Sequence, residues 1–277
     1  MLPRKLRQTI LRLARRRVDS AARRRIQANG ELWSLIQGYL AKTESTGCQY
    51  VDYDVLYRRI RETRPREVLE CGTGVSTVVM AHALRENALR DGVHGRVTSM
   101  EDVAFWFEMA VRLLPDELRD YVDIRLSPKM EDGYTIFRGV RYAEVPDRRY
   151  ELVFVDGPST RAPSDGTRSF DFDFLYVVRH AEHPVFGIVD GRLTTCYVLQ
   201  KVFGREKFRF DVYRNLGYVG PCTRHDMRTI TRSSSIALAH SLRLVGPTRF
   251  RLVTEPPNAA GGGESPSEGD AAPSDGS

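Results

Sequence analysis

The stretch Val68-Leu69-Glu70-Cys71-Gly72-Thr73-Gly74-Val75-Ser76-Thr77 decides how this chain is read. An apolar run ends on an acid, passes through a Gly-x-Gly turn and continues into a helix-compatible segment, Val75 to Arg90. Glycines at such a turn let the backbone pass close to a ligand where a strand of an α/β sheet hands over to a helix. A bare Gly-x-Gly also serves as an ordinary tight connection, so its meaning depends on what surrounds it.

Short apolar runs alternate with helical stretches from Pro65 onward. Strands are expected at Glu67 to Cys71, Gly95 to Glu101, Tyr121 to Leu126, Glu151 to Asp156 and Val185 to Asp190. Helices are expected at Val75 to Arg90, Val103 to Leu114 and Phe170 to Ala181. That alternation predicts an α/β fold, a parallel sheet with helices on both faces. Two later strand-like runs, Lys207 to Arg214 and Arg224 to Thr231, flank a Gly217/Gly220/Pro221 turn region and predict a closing antiparallel pair.

Acids mark the ends of these runs. The second strand ends in Ser99-Met100-Glu101, where a carboxylate can accept hydrogen bonds from both hydroxyls of a ribose. The fourth ends in Phe154-Val155-Asp156-Gly157-Pro158, so three acids at three strand ends face one cleft. A nicotinamide-dependent dehydrogenase fits less well. Thr77 stands where its third glycine would be, and its ribose acid belongs about 20 residues on, nearer Arg90 and Asp91 than Glu101.

Taken together these stretches resemble the class I S-adenosylmethionine-dependent methyltransferases. Glu70-x-Gly72-x-Gly74-x-Ser76 is similar to their first motif, Glu101 to the ribose-binding acid of their second, and Phe154 to Pro158 to their fourth. The resemblance covers about residues 50 to 232. It is greatest to bacterial small-molecule and glycan methyltransferases and to plant glucuronoxylan O-methyltransferases, which carry a similar run followed by a second acidic strand end, here Ile188-Val189-Asp190-Gly191-Arg192. It implies a Rossmann-like, seven-stranded, mostly parallel sheet with a final antiparallel pair. It also implies S-adenosylmethionine as cofactor, held by Glu70, Gly72, Gly74, Ser76 and Glu101, and O-methylation of a glycan or other small polar acceptor.

Methyl transfer from a sulfonium needs mainly positioning, and a hydroxyl acceptor also needs a general base. Asp156 and Asp190, on adjacent strand ends, are the leading candidates, with orientation of their own turns as the structural alternative. His225, at the opening of the expected final strand, is a third. His180 and His183 are expected at the opposite end of the sheet. Arg192 either holds an acidic acceptor bidentately or pairs internally, for instance with Asp156. A divalent cation bridging Asp156 and Asp190 is disfavoured, because relatives that use one usually show two adjacent acids where this chain has Asp190-Gly191. The polar loop Ser159 to Ser169 is placed to form an acceptor lid, or is a plain surface excursion. Phe105 and Trp106 follow Glu101 and either pack near the adenine or, with Met109, belong to the core.

Charge is unevenly distributed. The formal net charge is +6, yet residues 1–26 carry ten basic residues against a single acid, Asp19, while Glu255 to Ser277 carries five acids and no base. The body between is nearly neutral. Three regions are therefore expected: a basic helical arm over 1–45, a methyltransferase-like domain over 46–254 and a disordered acidic tail over 255–277, which lacks the apolar residues to offset the entropy of ordering. Leu2, Leu6, Ile10, Leu13 and Val18 recur in the arm at the spacing of one helical face. Further helices are expected over Glu31 to Ala41 and Tyr53 to Arg61. An Arg-rich amphipathic helix suits an anionic membrane surface, a nucleic acid or a presequence, and it also occurs as a solvated cap. The arm has no aromatics interleaved with its arginines for stacking on bases, which favours the membrane surface over nucleic acid. Scattered cysteines and the lack of a long apolar run place the expected protein in the cytoplasm, peripheral to the membrane if the arm binds one. A second class of function is a catalytically silent Rossmann-like scaffold recruited to a membrane or polyanion by that arm.

Overall fold

A computed structural model describes residues 4–43 and 48–230; the expected tail and residues 231–254 lie outside the described residues. Three N-terminal helices come first: α1 (Arg4–Ala28), α2 (Gly30–Leu40) and α3 (Tyr50–Thr63). Then follow β1 (Glu67–Cys71), α4 (Val75–Asp91), β2 (Arg96–Glu101), α5 (Ala104–Leu113), β3 (Val122–Leu126), β4 (Lys129–Tyr134), β5 (Phe137–Tyr142) and β6 (Leu152–Val155). The described chain ends with α6 (Asp173–His180), β7 (Val185–Val189), α7 (Leu193–Phe203), β8 (Phe208–Asp211), β9 (Leu216–Cys222) and a 3₁₀ turn at Arg224–Asp226.

The fold is α/β and Rossmann-like. Seven strands form one sheet in the order β3-β2-β1-β6-β7-β9-β8. The first five run parallel, and β9 pairs antiparallel with both β7 and β8. Alternation along β1 sends Val68 into the apolar cluster shared with Met80, Leu84 and Ile60 of the overlying helices. Leu69 and Cys71 go to the opposite face with Leu175, Val178 and Leu199. Strand order reverses between β2 and β6, on either side of β1, so the turn after β1 sits at the switch point where ligands bind in such sheets.

Two corrections concern the end of the sheet. The second strand of the antiparallel pair is Leu216–Cys222, the stretch expected to be a turn, while the run from Arg224 opens as a 3₁₀ turn. Glycine is required in that strand. A Cβ on Gly217 would lie 2.8 Å from Cys196 Sγ, and one on Gly220, at φ +101°, would lie 2.6 Å from the Val185 carbonyl oxygen. Because Cys222 pairs with Val185 at the start of β7, His225 lies at the opposite end of the sheet from Asp190, so it is removed from the candidate bases. The hairpin β4–β5, with polar Lys129, Glu131 and Asp132 on its first strand, carries no apolar alternation that would have announced it.

The arm is folded against the body. Asn29 ends α1 and caps α2, its Oδ1 accepting the Leu32 N–H at 3.2 Å. Ala22 and Ile26 of α1 are buried. Asp19 Oδ1 accepts the Val51 N–H at 3.0 Å, and Arg15 Nε donates to the Val212 carbonyl at 2.9 Å. Arg25 grips Asp54 with Nε at 3.0 Å and Nη2 at 2.7 Å from Oδ2. The apolar face read from the sequence lies at the surface: Leu6, Ile10 and Leu13 are 44, 48 and 53 % exposed.

The Arg25–Asp54 clasp is testable. Asp54→Ala leaves a half-exposed guanidinium without its partner and should lower unfolding free energy by about 1–2 kcal/mol in urea denaturation. An unchanged midpoint would show that the clasp does not hold the helix.

Candidate functional site

Gly72 has φ +97°, a backbone conformation that favours glycine, and its Cβ position lies 3.2 Å from Asp156 C and Gly157 N. Conversely, a Cβ on Gly157 would lie 2.9 Å from Gly72 Cα and N and 2.7 Å from Tyr142 Oη. The turns after β1 and β6 therefore touch backbone to backbone. The ladder continues past the strands: Asp156 N–H donates to Cys71 O at 2.9 Å and Asp190 N–H to Val155 O at 3.1 Å. That registry brings Glu70, Asp156 and Asp190 to one edge.

Glu70 is completely buried beneath the start of α4. Its Oε2 accepts from Thr77 Oγ1 and Ser99 Oγ, both at 2.6 Å. Thr77 Oγ1 also accepts the Gly74 N–H at 3.0 Å, so the residue in place of a third glycine ties the turn to the acid. Burial pushes Glu70 up to about 7 against those hydrogen bonds. Its Oε1 is buried without a hydrogen-bond partner. Glu101, nearly buried at the end of β2, accepts the Asp102 and Val103 N–H groups on Oε1, both at 3.0 Å, and the Thr73 N–H on Oε2 at 3.4 Å. Burial raises it as well.

On the other side of the turn, Arg192 occupies the centre of a carboxylate cluster. Its Nη1 lies 3.0 Å from Asp171 Oδ1, its Nε 3.2 Å from Asp190 Oδ1 and its Nη2 3.5 Å from Asp156 Oδ1. Nη1 also donates to the Pro158 carbonyl at 2.8 Å, and Nη2 to that of Asp156. Arg192 thus pairs internally. Asp190 is pushed up to about 8, first by burial and then by the Asp156 charge, with Arg192 pulling the other way. Among the described residues no group of three or more His, Cys, Asp or Glu side chains is placed to hold a metal ion. The Arg192 guanidinium lies between Asp156 and Asp190.

Several residues of this edge escaped sequence reasoning. Cys48 donates its thiol to Asp156 Oδ2 at 3.3 Å, and Tyr39, pushed up to about 12 by burial and then by the charges of Glu70 and Glu101, comes from α2. Asp171 and Asp173 belong to Phe170-Asp171-Phe172-Asp173-Phe174, whose strict alternation of acid and ring was the missed signal. The first half of that stretch is extended and pairs with Val140, and α6 begins only at Asp173. Asp171 is pushed up to about 6 by burial, with Arg192 and Thr195 Oγ1, the latter at 2.7 Å, opposing the rise.

The other expected residues are placed as follows. His183 contacts the Tyr150 carbonyl at 2.8 Å, ahead of β6 and far from the acids. The Ser159–Ser169 loop is a small hairpin fastened to β5 through Arg138, which reaches Ser164 Oγ at 2.8 Å and Asp165 Oδ2 at 3.1 Å. Met109 is buried, whereas Phe105 is exposed and meets Trp106 edge-on. A groove of about 950 Å³ opens on the sheet face, with Phe186 and Ile188 in its lining along with Arg58, Arg59, Arg209 and Tyr218. Phe186, Ile188 and Asp190 share one face of β7 by alternation.

A scan against protein-family models finds no match, and no curated protein is significantly similar to the chain. The fold defines the class, a Rossmann-like α/β protein with an acid-lined switch point. Among the described residues no helix is long and apolar enough to cross a membrane.

Two outcomes follow from this geometry. Gly157→Ala should lower stability by about 1–3 kcal/mol, because backbone atoms on one side and a buried ring on the other leave its methyl no room; a melting temperature equal to the parent's would contradict the backbone contact. Glu70 and Asp190 bind protons more tightly folded than unfolded, so their contribution is complete below about pH 4 and is lost as pH rises through about 7 and 8. His82, lowered by burial, works in the opposite sense. Glu70→Gln should therefore lose less stability than the parent between about pH 5 and 9, followed by denaturant titration at each pH; a parallel loss in both proteins would show that Glu70 titrates normally.

Proposed function

We propose that this protein is an S-adenosylmethionine-dependent methyltransferase acting on a hydroxyl of a glycan or other small polar acceptor. The observation that carries the proposal is the placement of Glu101 on one flank of the Gly72 turn and of the Asp156–Asp190 pair on the other, at the switch point of the sheet. The surroundings fit such a donor. Two buried polar atoms near the turn, Glu70 Oε1 and Tyr142 Oη, have no hydrogen-bond partner.

In this proposal Glu101 holds the ribose hydroxyls, since Oε2 makes only one long contact of 3.4 Å to the backbone and keeps acceptor capacity. Gly72 and Gly74 let the main chain approach the donor, while Glu70 and Ser76 fix the turn from beneath. When bound, the donor supplies a methyl group on a sulfonium, an already activated leaving group. The Asp156–Asp190 pair takes the acceptor's proton, and Arg192 keeps the negative charge of the pair tolerable when that proton is absent.

Isothermal titration with S-adenosylmethionine tests the donor site: saturable binding by the parent and loss of at least about tenfold in affinity in Glu101→Ala are expected, because two ribose hydrogen bonds to a charged group are removed. No binding by the parent would end the proposal. With an acceptor in hand, turnover should rise with pH toward about 8 as the pair gives up its proton, and Asp190→Asn should abolish that rise.

A further inference from the structure

We infer that the outer face of α1 is a docking surface for an anionic phospholipid bilayer. The helix has two apolar sides. Ala22 and Ile26 are buried against the body, and Asp19, Arg15 and Arg25 fix the rotation of the helix about its axis through Val51, Val212 and Asp54. Leu6, Ile10 and Leu13 consequently face outward, one per turn along a single line that continues through Arg17 and Arg24, with Arg16 beside it. Exposed aliphatic side chains scattered singly need no explanation, but three in consecutive turns on one rigidly held face do.

The charges around that line choose the occupant. Arg16, Arg17 and Arg24 are exposed and make no ion pair among the described residues. The helix's single acid, Asp19, is turned inward to the Val51 amide, so the outer face carries no negative charge. Apolar side chains flanked by arginines suit an interface where the former enter the acyl boundary and the latter reach phosphate headgroups. A nucleic acid would meet the arginines and leave the leucines in water. The acidic segment 255–277 has no aromatic or branched aliphatic residue to cover them. A second copy of the helix would set arginines against arginines.

Co-sedimentation of the full chain with phosphatidylcholine vesicles, with and without phosphatidylglycerol, tests the inference. The parent should sediment with the anionic vesicles only. Leu6→Asn/Ile10→Asn/Leu13→Asn and Arg16→Gln/Arg17→Gln/Arg24→Gln should each weaken binding by at least about tenfold. Both variants should keep the parent's melting temperature and donor binding, because every altered side chain points away from the body. No sedimentation of the parent, undiminished binding by the apolar triple variant, or a parent dimer in solution that this variant turns into a monomer would overturn it.

Discussion

Everything at the candidate site depends on the contact between the Gly72 and Gly157 backbones. Parallel strands β1 and β6 end side by side, and only turns without side chains at those two positions can close against each other. Their contact sets how far apart the acids of neighbouring strand ends lie. It leaves Glu101 on one side and the Asp156–Asp190 pair on the other. A larger residue at either position would separate the turns and, with them, the two halves of the site.

Concentrating carboxylates at such an edge is electrostatically unfavourable, and the chain meets this in two ways. Glu70 is buried but its Oε2 accepts from two hydroxyls, which favour its ionised form against the burial that opposes it. Asp156, Asp171 and Asp190 share Arg192, whose charge and forked donors offset part of their repulsion. The cluster still carries more acid than base. Burial, and after it the Asp156 charge, hold the Asp190 proton into the neutral range, with Arg192 opposing.

Much of this was legible in the sequence where one local signal sufficed. The five parallel strands are apolar runs ending in turns or acids, and β1 was read to the residue because Glu67 and Gly72 bound it sharply. Strand β9 was not legible, since Leu216-Gly217-Tyr218-Val219-Gly220-Pro221-Cys222 has the composition of a turn; its glycines answer to Cys196 and Val185, which are distant in sequence. Placing His225 beside the acceptor followed from that misreading. The rotation of α1 was equally hidden, because the spacing of Leu6, Ile10 and Leu13 defines one helical face without saying what it meets, and only the long-range clasps of Asp19, Arg15 and Arg25 turn it to solvent. Within the site the acids were visible at strand ends. Cys48 and Tyr39 were not, because they arrive from helices whose sequence records only their amphipathicity.

The central claim is that Glu101, the Gly72 turn and the Asp156–Asp190 pair form one donor site. A crystal structure with the demethylated donor bound tests it most directly. The account predicts both ribose hydroxyls within hydrogen-bond distance of Glu101 and the sulfur directed toward the Asp156–Asp190 pair. A donor bound elsewhere, or bound at this edge with its ribose away from Glu101, would contradict it.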